Sequence, residues 1–358
     1  MPHPLVVDPL TIYYNLVMIA ADAALLLFVA KRPSVVSWLI SGAVGIVLGV
    51  VLAGAISREE GFALIQFLSW LFFAHGFILL TGLAAVLWKS SRVLARVSLG
   101  IAIIVTAIGI DAFAIEPYRL ELSTYEISSA KLQQRMRIVV IADLQTDVIG
   151  QYERDAMRLA MDQKPDLILF AGDYLQQSPL DPQLVVDFRQ LLREVRIDAP
   201  LGVFAVKGDV DQAGWQTLFE GFPITVLADN QTRRLGAFNL TGLTLLSSRR
   251  MGNSGFLIPE TDEFHIVLGH APDFALGSPP ADLLVAGHTH GGQVQLPFIG
   301  PLITMSRVPR AWAAGGLTQL AEGRHLLVSR GVGMERDWAP RLRFLCRPQL
   351  VVIDVKPA

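Results

Sequence analysis

The chain has 358 residues, enough for two domains, and a net charge of −2. With a pI near 6.4 it offers no basic surface for nucleic acid, and its single cysteine, Cys346, excludes an internal disulfide or a thiolate zinc cluster. Hydrophobic residues make up 52%, high for a soluble protein, and the excess lies in the first third of the chain.

Four apolar stretches come first, at about 10–30, 34–56, 62–88 and 93–115, each near the ~20 residues that cross a bilayer. Buried core helices rarely come four in succession with so few charges, so residues 1–115 are expected to form a four-span transmembrane domain. Asp22 in the first stretch and His75 in the third are the polar exceptions. They are too few to point to a transporter. No basic segment precedes Leu10, which argues against a cleaved signal peptide. Tyr13-Tyr14, Trp70 and Trp88 lie near span ends, as interfacial aromatics do. Lys31-Arg32 and Lys89 with Arg92 fall in the first and third loops, which places those loops in the cytoplasm and both termini outside. The chain is therefore expected to be a multi-pass membrane protein, with the bilayer as its partner and its remaining domain extracytoplasmic.

Residues 116–134 read as a juxtamembrane connector. Its alternating Tyr118-Arg119-Leu120-Glu121-Leu122 has the pattern of an edge strand. From 135 to 358 the pattern changes. Ile138–Ala142 is an apolar run that stops at Asp143-Leu144-Gln145, Leu167–Ala171 stops at Gly172-Asp173, and Val203–Val206 leads to Gly208-Asp209-Val210-Asp211. Helical periodicity covers Tyr152–Gln163 and Leu184–Val195. Further on, Ile266-Val267-Leu268 ends in Gly269-His270, and Leu283–Ala286 in Gly287-His288-Thr289-His290. The pattern predicts an α/β sandwich of two packed sheets with helices outside. Any one apolar run followed by Asp is weak evidence, because Asp begins many turns. Three such runs followed by two that end in histidine point to a metal centre assembled at strand ends.

The order and spacing of Asp143, Gly172-Asp173, Gly208-Asp209, Gly269-His270 and Gly287-His288-Thr289-His290 resemble the calcineurin-like metallophosphoesterase family. The later segments Gly291-Gly292-Gln293-Val294 and Ser329-Arg330-Gly331-Val332-Gly333 fit its membrane-linked bacterial branch. The resemblance implies a binuclear centre that activates a water against a phosphoester. It implies that Asp173 bridges two ions, that Asp143 and His290 hold one, and that Asp209, His270 and His288 hold the other. Arg330 is then expected to bind substrate.

The chain departs from the family pattern at three positions. Gln145 stands where the family has a ligand histidine, Asp209 where it has asparagine, and Val210 where it has the histidine that assists the phosphoryl oxygen or leaving group. Gln145 can bind through its amide oxygen, so the donor set moves toward oxygen. Two divalent ions are expected, with Mn favoured over Zn or Fe. Losing a general acid typically costs on the order of 10²–10⁴ in rate; Asp211, taken as a catalytic candidate, or His265 is the nearby group able to substitute. Asp147 reads as a turn residue. Arg249-Arg250 are weaker phosphate-binding candidates. The apolar loop Phe298–Ile303 with Trp312 reads by default as loop packing, and more pointedly as a rim that admits a lipid. The expected function is a membrane-anchored, metal-dependent phosphoesterase acting on a lipid or envelope phosphoester. The competing expectation is a sensor or scaffold that keeps the fold with a degenerate site.

Overall fold

The computed structural model describes residues 8–57, 61–250 and 256–358. It divides into two compact units, Met1–Ala114 with Trp338–Pro340, and Ile115–Asp337 with Arg341–Ala358.

The first unit is helical. Helix α1 (Pro9–Lys31) starts at Asp8, whose carboxylate accepts the backbone N–H groups of Leu10 and Thr11. Helix α2 (Val35–Ile56) starts at Ser34 in a capping box with Ser37. Its buried stripe is Ser37, Ser41, Gly45, Gly49 and Ala53, one small residue per turn, and a Cβ on Gly49 would overlap Leu71. Small residues at this spacing let helix backbones approach closely, as membrane helices do. Helices α3 (Gly61–Ser69) and α4 (Gly76–Leu87) are joined by a π-helical turn, Trp70–His75, and α5 (Arg92–Ile110) runs into a second, Asp111–Ile115. The result is four helical stretches long and apolar enough to cross a membrane: Pro9–Lys31, Val35–Ile56, Phe62–Leu87 and Arg92–Tyr118.

The two polar exceptions meet. His75 Nδ1 lies 2.8 Å from Asp22 Oδ2, both buried in the helix packing, and its Nε2 lies 3.0 Å from the half-buried Asn15 Oδ1. Each is thereby relieved of burial without a partner. Tyr14 is not an interfacial aromatic: it is fully buried and stacked on Phe67 at 4.9 Å, whereas Tyr13, Trp70 and Trp88 are exposed.

The second unit is two six-stranded sheets. The first contains β1 (Glu121–Ser129), β2 (Met136–Ile141), β3 (Leu167–Phe170), β4 (Val203–Ala205), β5 (Ile224–Val226) and the last strand, β14 (Gln349–Pro357), in the order β1-β14-β2-β3-β4-β5. The second contains β6 (Gln231–Leu235), β7 (Phe238–Gly242), β8 (Phe264–Leu268), β9 (Leu283–Ala286), β12 (Gly316–Ala321) and β13 (Arg324–Val328), in the order β12-β13-β9-β8-β7-β6. A small hairpin, β10 (Gln295–Leu296) and β11 (Gly300–Pro301), stands apart. The stretch expected as a connector carries β1, which is longer than the alternation from Tyr118 predicts. It pairs in parallel with β14 along nine residues, from Glu121 on Gln349 to Ser129 on Pro357.

Strand alternation builds the layers. Ile138 and Val140 of β2 point between the sheets with Leu169, Phe204, Ile266 and Val285. Val139 and Ile141 point the other way, onto helices α6 (Gln151–Asp162) and α7 (Pro182–Val195). Strands β2 to β5 run parallel, as do β7, β8, β9 and β13, so each set presents its carboxyl ends together. The loops that carry the aspartates and histidines leave from those ends.

One ion cluster fixes the register of β14. Asp354 faces Arg137 across the strand pair and accepts from Arg137 Nε at 2.9 Å and Arg135 Nη2 at 2.6 Å. Its hydrogen bonds to Arg137, against the opposing effect of burial and together with Arg135, hold its carboxyl below the usual range. A carboxyl depressed in the folded state stabilises at neutral pH, and that contribution is lost as pH falls through its folded value. Both arginines are partly exposed, so screening keeps the contribution modest. Asp354→Asn is therefore expected to lower stability by about 1 kcal/mol at pH ~7 in denaturant unfolding, with the difference from wild type closing below pH ~4.

Candidate metal centre

Seven side chains converge on the carboxyl ends of five parallel strands. Asp143 and Gln145 follow β2, Asp173 follows β3, Asp209 follows β4, His270 follows β8, and His288 and His290 follow β9. Five of them, Asp143 (φ 48°), Gln145 (φ 38°), Asp173 (φ 57°), His288 (φ 70°) and His290 (φ 48°), have left-handed backbones. Such conformations cost on the order of 1–3 kcal/mol each and persist only where surrounding structure imposes them. Here backbone hydrogen bonds impose them: Asp143 N–H donates to Gly172 O at 3.0 Å, Gln145 N–H to Asp173 O at 2.9 Å, and Gly333 N–H to Asp143 O at 2.7 Å. Gly208 is required because a Cβ there would collide with the Asp173 carboxylate and backbone nitrogen.

The donor atoms fall into two groups. Asp209, His270 and His288 form one, and the buried Asp143, Asp173 and His290 form the other, with all donor atoms of a group within 4.8 Å of one another. Asp173 also reaches across, with Oδ2 3.2 Å from His270 Nε2. The imidazoles of the first group are oriented by backbone carbonyls. His270 Nδ1 contacts Ala171 O at 2.7 Å, which leaves Nε2 facing Asp209 Oδ1 at 2.6 Å. His288 Nε2 contacts Met305 O at 3.1 Å, which leaves Nδ1 facing Asp209 Oδ1 at 3.0 Å. A carbonyl on one ring nitrogen fixes the tautomer that frees the other for a cation.

The second group has atoms without partners. Both nitrogens of His290 and Oε1 of Gln145 are buried and accept or donate no hydrogen bond. Buried polar atoms left in this way cost about 1–3 kcal/mol each unless something meets them. A divalent cation beside two carboxylates would meet Gln145 Oε1 and one of the His290 nitrogens, so the residues present fit a metal.

Electrostatics point the same way. Burial pushes the Asp143 carboxyl up to about 7, with the Asp173 charge adding to it and His270 opposing it. Burial would raise Asp209 as well, but hydrogen bonds from His270 and His288, which these rings donate only when both nitrogens carry a proton, outweigh it and hold that carboxyl far below its usual range. Burial, with Arg343 and the neighbouring imidazoles, keeps His290 well below the usual histidine value, hence neutral. Neutral imidazole is the form that binds a metal.

Three residues singled out in the sequence sit differently from expectation. Asp211 does not face the reacting space. Its Oδ2 accepts the N–H groups of Asp173 (3.0 Å) and Gly208 (2.7 Å) and its Oδ1 that of Tyr174 (2.9 Å), so it shapes the ligand loops. Arg330 is not a free anion fork. Its Nη2 lies 3.1 Å from Glu121 and its Nε donates to Arg347 O. His265 lies near the start of β8, five residues and roughly 16 Å along the strand from His270. It is fully buried, 2.8 Å from Thr241 Oγ1, and cannot replace the missing histidine. Asp147 pairs with Arg336 and Arg341. Arg249 is the arginine that reaches the centre, with Nη2 2.5 Å from Asp209 Oδ2 while its side chain stays 45% exposed. Val210 brings no proton donor, and its backbone N–H donates to Asp173 Oδ1 at 3.0 Å.

Sequence reasoning missed the residues that brace the ligand loops. Arg343 is fully buried and donates to the carbonyls of Arg330, Gly331, Gly333 and Cys346, with His290 O at 3.4 Å. Gln176, Gln293 and Glu335 form a hydrogen-bonded chain behind Gln145. No spacing motif marks these positions, because their partners are backbone atoms and amides far away in sequence.

The model of the calcineurin-like phosphoesterase family matches residues 136–292. The chain is 32% identical over 259 residues to YkuE, an uncharacterised metallophosphoesterase of Bacillus subtilis, covering 68% of this chain and 87% of that one. It is 29% identical over 219 residues to the phosphodiesterase YaeI of Escherichia coli (56% and 74% covered). It is 25% identical over 281 residues to the UDP-2,3-diacylglucosamine pyrophosphatase LpxG of Chlamydia trachomatis (61% and 83% covered). With the two-sheet fold and the donor atoms gathered at its strand ends, this protein belongs to the calcineurin-like phosphoesterase family.

Proposed function

We propose that this protein is a membrane-anchored phosphoesterase that holds two divalent ions and hydrolyses a phosphodiester or pyrophosphate carried by a lipid or another envelope molecule. The observation that supports it most is the pair of donor groups joined through Asp173, with His290 and Gln145 Oε1 otherwise unpartnered. Bound ions supply the positive charge that activates a water and neutralises phosphoryl oxygens. The chain's own residues do the rest. Asp173 would span the two positions, Asp143 with His290 and Gln145 would hold one, and Asp209 with His270 and His288 would hold the other. The Ala171 and Met305 carbonyls keep the imidazoles turned inward. Arg249, exposed beside Asp209, is placed to meet a phosphoryl oxygen.

A lipid-bearing substrate is supported by three features. Four helices have the length and apolarity of membrane spans. Phe298, Ile299, Leu302, Ile303 and Met305 are exposed on the segment whose Met305 carbonyl contacts His288. The Escherichia coli relative is a phosphodiesterase and the Chlamydia relative a pyrophosphatase of a diacylated sugar nucleotide. The alternative, a scaffold with a degenerate site, draws its support from Val210, which leaves no proton donor where the family places histidine.

Hydrolysis assays with purified protein and Mn²⁺ separate the two readings. Without a donor at Val210, aryl phosphodiesters are expected to be cleaved far faster than alkyl ones. Val210→His is expected to raise alkyl-ester turnover by about 10²-fold or more, and Asp173→Asn to abolish turnover of both. Equal residual rates for wild type and Asp173→Asn on every ester would leave the scaffold reading standing. The charges of the short loops support an orientation with the phosphoesterase unit outside the cytoplasm. A reporter active only after export, fused after Ala358, is expected to give signal; signal from a cytoplasm-only reporter would reverse that orientation.

A further inference from the structure

We propose that Gln176, backed by Glu335, is a positioning residue that fixes the amide of Gln145 with its oxygen toward the metal position, so that this position selects oxygen-seeking ions such as Mn²⁺ over Zn²⁺. The inference rests on the binuclear reading above.

A backbone group of fixed polarity sets the orientation of both amides. The N–H of Arg336 can only donate, and it lies 2.8 Å from one terminal atom of the Gln176 side chain, which must therefore be the oxygen. That same Gln176 oxygen lies 2.9 Å from the Gln145 amide, so Gln145 must present its NH₂ there. Oε1 of Gln145 is then forced to the opposite side, where it is buried and has no partner within the protein. The far end of the chain agrees. The NH₂ of Gln176 faces Glu335 Oε1 at 2.6 Å and Asp337 Oδ2 at 3.4 Å, both acceptors. Glu335 is anchored by its own N–H donating to Gln293 Oε1 at 2.7 Å. Arg336 closes the clamp, with Nε donating to the carbonyl of Gln145 at 2.9 Å. The 335–336 segment therefore holds both the backbone and the side chain of Gln145.

An amide free to rotate offers a cation oxygen or NH₂ with similar ease, and NH₂ is no ligand. Here rotation of the Gln145 amide would set its oxygen against the Gln176 oxygen, two acceptors with no proton between them, and turn its NH₂ toward the metal position. With the oxygen fixed inward, the position of Asp143 and Asp173 has three oxygen-bearing side chains and one imidazole, a donor set that suits Mn²⁺ or Mg²⁺ better than Zn²⁺. Gln176 touches neither substrate nor ion, and it acts through Gln145.

The test is metal binding by the purified full-length protein in detergent, with bound Mn²⁺ counted by loss of the free-ion electron paramagnetic resonance signal and Zn²⁺ by competition. Wild type is expected to bind two Mn²⁺. Gln176→Leu removes the acceptor that orients Gln145. It is expected to weaken one Mn²⁺ by about 10–100-fold, the usual effect of losing an outer partner of a ligand. The ion held by Asp209, His270 and His288 should be retained, and it reports that the fold survives. Gln176→Glu combined with Glu335→Gln keeps an acceptor toward Arg336 N–H and Gln145 without setting two carboxylates together at 2.6 Å, and is expected to bind more tightly than Gln176→Leu. Gln145→His is expected to turn the preference of the same position toward Zn²⁺. Unchanged affinity for both ions in Gln176→Leu would overturn the positioning role while leaving the phosphoesterase reading intact. Wild type that takes up no metal would overturn both.

Discussion

The second unit depends on burying several carboxylates together. Asp143, Asp173 and Asp211 are at most 5% exposed, and Asp143 and Asp173 belong to one group of donor atoms. Like charges this close in a low-dielectric interior cannot all stay ionised without compensation. The raised carboxyls of Asp143 and Asp211, each pushed to about 7, express that conflict. Three devices answer it: backbone N–H groups aimed at Asp211 and Asp143, imidazoles turned toward Asp173 and Asp209, and unpartnered donors left where a cation belongs.

The same constraint accounts for the strained backbone. A left-handed residue at a strand end turns its side chain back over the sheet rim instead of continuing along the strand. At Asp143, Gln145, Asp173, His288 and His290 this directs side chains from different strands to one point. The strain is sustained by neighbours that cannot move: two sheets packed through a continuous apolar layer, and Arg343, which ties the Arg330–Gly333 carbonyls to Cys346. Gly331 and Gly333 bring that segment against Asp143 and Leu144, where any Cβ would overlap them.

The three departures from the family pattern have physical counterparts. Asp209 adds a charge where the family has an amide, and Arg249 lies against that charge at 2.5 Å. Gln145 loses an imidazole, and Gln176 with Glu335 holds its amide in one orientation. Val210 loses a proton donor, and neither nearby candidate among the described residues replaces it: Asp211 is fully occupied by backbone N–H groups and His265 is buried at the far end of β8. On the phosphoesterase reading proposed above, chemistry at this centre falls on the ions and on the leaving group's own acidity.

Local pattern was enough to read the four apolar helices, the strand–loop alternation from Ile138 to Val206, and the strand ends that carry Asp143, Asp173, Asp209, His270, His288 and His290. Each is a short-range signal, a run of apolar residues or a residue just beyond it, and burial periodicity is written in neighbouring positions. What Asp211, Arg330, Arg343, Gln176 and Glu335 do was decided by tertiary structure alone. A carboxylate or guanidinium has the same sequence signature whether it meets substrate, a distant carbonyl or another side chain. Which it meets depends on partners as far apart as Gln145 and Arg336, 191 positions away, or Asp22 and His75, 53 away. Those pairings exist only after the sheets and helices have packed, because packing sets the distances over which hydrogen bonds and ion pairs act.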